Sequence, residues 1–211
     1  MTVEIVIPTY QREEKLCRLI KSITANVYPE YKITVLPDHG RKHVFRLINE
    51  QSMRSDADIF LGISDDTVFE PTVIEHAAKS MEKCFPDTDG IIYMNWINLP
   101  NVCKGAIAFV GKKFRKRFPN GFIYCPDYIS LYADSELSNF AESISKLEFC
   151  SLTGLYHYHP AHYPEELDRT HELGRENMGN DSRMRRLRNE KGYLWGKDFK
   201  MISPFEEVLN G

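Results

Sequence analysis

Several large classes of protein are excluded by what this sequence has little of. Its five cysteines, at 17, 84, 103, 125 and 150, are scattered through 211 residues with no CxxC pair among them. That spacing fits reduced thiols in a cytosolic protein better than a disulfide framework or a zinc site. No apolar run approaches the ~18 residues that cross a bilayer. "MTVEIVIPTY" runs directly into a strand pattern and not into a secretory signal. A soluble, cytoplasmic protein with no integral membrane segment is expected. Excess charge of either sign is also missing: 27 Lys and Arg against 30 Asp and Glu leave a net charge of -3. No overall basic field therefore advertises nucleic acid or anionic membrane. Two local basic runs, "GKKFRKRF" (111–118) and "RMRRLR" (183–188), read first as solvated helix faces. Internal repeats and low-complexity segments are absent.

What is present reads as one α/β unit. The chain is 42% hydrophobic and 27% charged, ordinary values for a globular protein long enough to fill one such domain. "VEIVIP" (3–8), "KITVLP" (32–37) and "ADIFLGI" (57–63) are β-branched apolar runs of strand length. Between and after them lie amphipathic helical patterns at 12–24, 41–54 and 71–84, the last opened by Pro71. This alternation predicts right-handed crossovers and a parallel sheet. Further strands are predicted at 89–97 and 104–111, a short helix at "KKFRKRF" and a helix at 132–146. Residues 147–160 read as a strand or hairpin. From residue 161 the chain turns polar, with helices predicted in "EELDRTHELGREN" and "DSRMRRLRNEK". The predicted organisation is a domain of residues 1–160 and a helical appendage of 161–211 packed on it.

"FLGISDDTVFEP" (60–71) carries the main chemical signal. An apolar strand ends in two adjacent carboxylates, Asp65 and Asp66. Like charges about 4 Å apart repel by about 4 kcal/mol at an effective dielectric near 20. Such a pair can cap a helix and its first turn, or it can hold a hard cation such as Mg²⁺ or Mn²⁺, which would remove the repulsion. In parallel sheets ligands bind outside the carboxyl ends of the strands. "PTYQR", "PDHGR" and "SDDT" leave the first three strands there, so these polar clusters should meet on one rim. His157 and His159 alternate with tyrosines in "YHYHP" and would share one face of a strand.

Taken in order, these motifs resemble family 2 glycosyltransferases of the GT-A fold. "VEIVIPTYQREEKLCRLIKSI" is similar to that family's opening strand, its Pro-Thr-Tyr-Asn-Arg turn and the following helix. "ISDDTVFEP" resembles its acidic metal motif, "YADSEL" its later acidic segment, and "YHYHP" its His-containing strand. The resemblance covers roughly residues 3–160. It implies a Rossmann-like, mostly parallel sheet with flanking helices. Pro8, Thr9, Tyr10 and Arg12 would then line the nucleotide pocket, Asp38 would accept a hydrogen bond from the base, and Asp65 would face the ribose or a metal-bound water. Asp66 would bind the metal, with His157 or His159 completing its coordination. Asp134 would be the general base, Asp127 the runner-up and Glu136 a weaker substitute. The chain departs from the family pattern at "PDHGRK" and at Ala133, where a Glu is usual.

The activity so implied is metal-dependent, inverting transfer of a sugar from a nucleoside-diphosphate sugar to an acceptor hydroxyl, with Mn²⁺ or Mg²⁺ as cofactor. A glycan or lipid-linked acceptor is the family default, and DNA or a modified base is a further option given the two basic runs. A non-catalytic nucleotide-sugar or carbohydrate binder of the same fold is the main alternative. Sugar-phosphate nucleotidyl transfer would need a Gly-rich loop after the first strand, and "PTYQREEK" contains no Gly.

Overall fold

The computed structural model describes residues 1–38, 44–99 and 107–202. The start of the second predicted helix (41–43), the first residues of the strand predicted at 104–111, Cys103 and residues 203–211 lie outside the described residues.

Seven strands form one sheet in the order β2-β1-β3-β6-β5-β7-β4. The strands are β1 (Val3–Thr9), β2 (Tyr31–Pro37), β3 (Ile59–Gly62), β4 (Thr67–Phe69), β5 (Ile91–Trp96), β6 (Ala108–Gly111) and β7 (Leu147–His157). β1 pairs in parallel with β2 and β3, and β5 with β7, while β6 and β4 run against their neighbours. Five of the seven strands therefore share one direction, giving the mostly parallel, Rossmann-like α/β sheet expected from the alternating pattern.

The helices are α1 (Glu13–Thr24), α2 (Val44–Arg54), α3 (Val73–Cys84), the single turn α4 (Lys112–Arg115), α5 (Ala133–Ser143) and α6 (Arg169–Glu190). Strand alternation divides the core between the two faces of the sheet. Ile5, Ile7, Ile59 and Leu61 pack with Leu19 and Ile23 of α1 and Ile74 of α3. Val6 and Phe60 point the other way, toward Phe45 and Ile48 of α2 and Leu137 of α5. Each such aliphatic side chain stabilises the fold by about 1.5–3 kcal/mol when fully buried.

Four details depart from the sequence reading. Pro71 lies ahead of α3, whose N-cap is Thr72. Residues 67–69, for which no element was predicted, form β4 and pair with the end of β7. Residues 147–157 form one strand and not a hairpin, with a register shift that passes from Cys150 opposite Met94 to Gly154 opposite Asn95. A Cβ on Gly154 would lie 2.6 Å from the Asn95 carbonyl oxygen, so only glycine fits where the strands rejoin. Finally, the two helices predicted in the appendage are a single helix, α6, of 22 residues.

Candidate active site

β1 delivers the first part of the site. After Thr9 the backbone turns through Gln11, whose φ of 51° is left-handed, and returns Arg12 beneath the rim. Such a conformation costs a non-glycine residue about 1–3 kcal/mol and persists where its surroundings enforce it. Arg12 is buried, and its guanidinium reaches Asp65 Oδ1 at 2.6 Å and Asp168 Oδ1 at 2.8 Å. Thr9 Oγ1 donates to the other Asp65 oxygen at 2.7 Å. Burial nevertheless outweighs these partners, and the Asp65 carboxyl is held above its ordinary range. Pro8 is buried at the end of β1, and Tyr10 is half-buried with its carbonyl accepting from Thr170 Oγ1 at 3.1 Å. Asp38 follows β2 on the same rim, its N–H donating to the Thr9 carbonyl at 2.8 Å.

The short strand β4 brings Asp66 and His157 together. Thr67 lies opposite His157 in the antiparallel register, and the Tyr158 N–H donates to the Asp66 carbonyl at 3.0 Å. His157 Nε2 is 3.3 Å from Asp66 Oδ1. The His157 ring stacks on Trp96 with centroids 4.5 Å apart, and its backbone exchanges two hydrogen bonds of 2.9 Å with the Asn98 side chain. The imidazole is thus fixed from behind as well as from the carboxylate side.

A third imidazole arrives from a part of the chain where no site residue was expected. His171, in the first turn of α6, places Nε2 at 3.0 Å from Asp66 Oδ2. Its Nδ1 lies 2.9 Å from Asp168 Oδ1. Asp168 is also the N-cap of α6, accepting from the His171 N–H at 3.1 Å, and it takes Lys15 Nζ at 2.7 Å. Burial works against the charged Asp168 carboxylate, yet the hydrogen bonds from Arg12 and Lys15 hold its pKa far below the usual range. The neighbouring Glu166 pairs with Arg18 at 2.7 Å, whose guanidinium lies 4.4 Å from the Tyr158 ring centroid. Residues 166–171 therefore stand on this rim beside Asp66.

Around Asp66 the balance is opposite to that at Asp65. Burial would raise its carboxyl, but hydrogen bonds from His157 and His171, the charge of His157 and the Ser64 hydroxyl together hold it well below the ordinary value. The repulsion between the two acids is thus already offset by the protein's own groups: Arg12 at Asp65 and two imidazoles at Asp66. His159 lies just beyond β7, its ring centroid 5.3 Å from that of His157 and 5.5 Å from that of His171. Burial, then the charge of His157, pushes its pKa down to about 4.

Among the described residues no group of three or more His, Cys, Asp or Glu side chains is already arranged around a common cation position. The imidazoles hydrogen-bond the Asp66 oxygens instead. The donor types themselves, a carboxylate flanked by imidazoles, suit a cation of intermediate hardness such as Mn²⁺ better than Mg²⁺, which favours all-oxygen sites.

Asp134 is the second residue of α5 and half-buried, with its carboxylate accepting from the Ser135 N–H at 2.8 Å. Burial raises its pKa against those backbone hydrogen bonds and the charge of Arg185. No hydrogen bond or ion pair among the described residues joins it to the Asp66 cluster. α5 leads to the amino end of β7, so its first turn faces the side where the parallel strands end. The two substitutes for Asp134 are committed elsewhere. Arg188, fully buried, binds Asp127 Oδ2 at 2.7 Å and Glu136 Oε1 at 2.6 Å, and those two carboxylates also take the Ile202 and Trp195 N–H groups.

No family model matches the chain, and no curated protein matches it. Its fold is nonetheless shared with solved structures. A 1-349 fragment of S. aureus TarS superposes with a TM-score of 0.60 at 12% identity, covering 81% of this chain and 68% of that one. The same fragment in complex with UDP-GlcNAc gives 0.58 at 13% identity over 74% of this chain and 58% of that one. The mannosyltransferase PcManGT from Pyrobaculum calidifontis, in complex with GDP-Man and Mn²⁺, gives 0.53 at 12% identity over 71% and 54%. At such identities the likeness establishes the fold alone. Among the described residues no helix is long and apolar enough to cross a membrane.

Proposed function

We propose that this protein is a glycosyltransferase that moves a sugar from a nucleoside-diphosphate sugar to an acceptor hydroxyl, with Mn²⁺ as the preferred cation and Mg²⁺ as the weaker substitute. The observation that carries the reading is the convergence of Asp65, Asp66, His157 and His171 at the carboxyl-end rim of the sheet. The fold shared with sugar-nucleotide complexes supports it.

In this reading Pro8, Thr9, Tyr10 and Asp38 form the nucleoside side of the pocket, where an aromatic ring and a carboxylate can meet a base. Arg12 is a positioning residue that holds Asp65 toward the ribose. Asp66, His157 and His171 hold the cation, with Asp168 orienting the His171 ring through Nδ1 and His159 packing behind. A dication bound there supplies charge neutralisation for the departing diphosphate. Asp134, its proton affinity raised by burial, takes the proton from the acceptor hydroxyl as that oxygen attacks the anomeric carbon. With one base and no separate nucleophile, displacement is direct and the anomeric configuration inverts. Residues 1–160 carry the donor pocket and the base, and the following segment completes the cation site through His171 and Asp168.

The test is a panel of UDP-, GDP- and dTDP-sugars incubated with the protein and Mn²⁺ and assayed for released nucleoside diphosphate. Release from at least one donor that stops on chelation is expected. Donor binding without release by any acceptor or by water would instead identify a non-catalytic binder.

A further inference from the structure

α6 extends well beyond the contacts that tie its first turn to Asp66. His171, Arg175, Met178, Ser182 and Arg185 are spaced by four, three, four and three residues, which places them on one helical face. At one end of that face His171 touches Asp66. At the other, Ser182 Oγ lies 3.1 Å from the Tyr132 hydroxyl, and the Arg185 guanidinium sits 4.7 Å from the Tyr132 ring centroid. Tyr132 is the N-cap of α5 and is held at a left-handed φ of 72°, two positions before Asp134. Its conformation is enforced by α6 itself: the fully buried Asp181 accepts the N–H groups of Ile129, Ser130 and Leu131 at 2.8–2.9 Å. The face is about 21 Å long from His171 to Arg185 and runs from beside Asp66 to beside Tyr132.

The middle of this face is open and cationic. Arg175 and Arg185 are exposed, and neither makes a hydrogen bond or ion pair among the described residues. The nearby acids Glu172 and Glu176 are taken by Arg169 at 3.2 and 3.5 Å. Met178 between the two arginines is 45% exposed. Two exposed arginines about 15 Å apart along the helix axis, with Met178 between them and Tyr132 beside Arg185, suit phosphate groups on a substrate.

We infer that this face of α6 is the acceptor-binding wall and that the acceptor is a carbohydrate bearing phosphate groups, presented to Asp134 past Tyr132 and Arg185. The inference rests on the glycosyltransferase reading above and names its second substrate. A nucleic acid is disfavoured because the Tyr132 ring is already covered by Arg185 and edged by Tyr128, leaving no free stacking platform.

The test measures binding of three probes by the intact protein: mannohexaose with a terminal 6-phosphate, unmodified mannohexaose and hexathymidylate. The phosphorylated sugar is expected to bind about tenfold or more tightly than the neutral one. The Arg175→Glu/Arg185→Glu variant should lose that preference while keeping its affinity for UDP with Mn²⁺, and Arg175→Lys/Arg185→Lys should retain most of it. Equal binding of the two sugars, tighter binding of hexathymidylate, or a preference that survives charge reversal would each overturn the inference. Failure of the donor reading would show separately, as absent affinity of the wild type for every nucleoside diphosphate.

Discussion

Two ionic clusters in this molecule are built from the same groups and end in different states. At the C-terminal end of α6, Arg188 is sealed between Asp127 and Glu136, and its Nη1 also donates to the Lys200 carbonyl at 2.7 Å. Every charge there has its partner inside the protein. At the opposite end of α6, Asp65 and Asp66 meet one guanidinium and two imidazoles, and the imidazoles are groups that can exchange a proton for a metal. The first cluster is closed, so breaking it affects folding. The second is partnered by residues that can let go, so breaking it should affect chemistry. Burial does not separate the two, because Asp66 and Arg188 are both buried. The identity of the partners does.

The comparison can be broken at several points. The largest expected effect is on stability: Arg188→Ala leaves two buried carboxylates uncompensated and should cost about 3–5 kcal/mol, read as a lower urea midpoint. A loss under 1 kcal/mol would mean the cluster is not closed. Asp134→Asn should lower turnover by about 10²- to 10⁴-fold with donor affinity retained, checked by steady-state kinetics beside calorimetry; undiminished turnover would remove it as the base. Asp168→Asn, which weakens the orientation of His171, should reduce Mn²⁺ affinity by about 10- to 100-fold and leave Mn²⁺-saturated turnover closer to wild type. The smallest effect is on pH. His159 is pushed from 6.5 to about 4, so as pH falls the unfolded chain takes up this proton before the folded one does. Its contribution is fully present above pH 6.5 and lost progressively toward pH 4, with a slope no steeper than about 1.4 kcal/mol per pH unit. Metal-free His159→Gln should show a flatter acid limb in thermal melts, and an unchanged limb would sink the assignment.

The sheet was legible because its strands are nearly continuous apolar runs. β1 was expected at 3–8 and spans Val3–Thr9, and β3 was expected at 57–63 and spans Ile59–Gly62. β4 was not legible: three residues are too short for an alternation to register, and its partner lies some ninety residues away. Without β4, nothing in the sequence could place His157 against Asp66 by geometry. The merging of two predicted helices into α6 has a plain cause. The two predicted stretches left Met178, Gly179 and Asn180 between them, but Asp181, Met184 and Arg188 bury one stripe further along and secure the helix from that end. His171 was missed because the polar tail offered no core-forming pattern, although Asp168 three residues before it is a readable N-cap signal. Asp127 and Glu136 were weighed as bases, and only coordinates could show that a distant arginine had claimed both.

The central claim is that Asp66 and its imidazoles form a cation-dependent nucleotide site. Calorimetric titration of UDP and GDP into wild type and Asp66→Asn, each with and without Mn²⁺, tests it directly. Binding of at least one nucleotide that requires Mn²⁺ in the wild type and vanishes in the variant is predicted. Equal affinity with and without the metal, or an Asp66→Asn protein that binds as the wild type does, would contradict it.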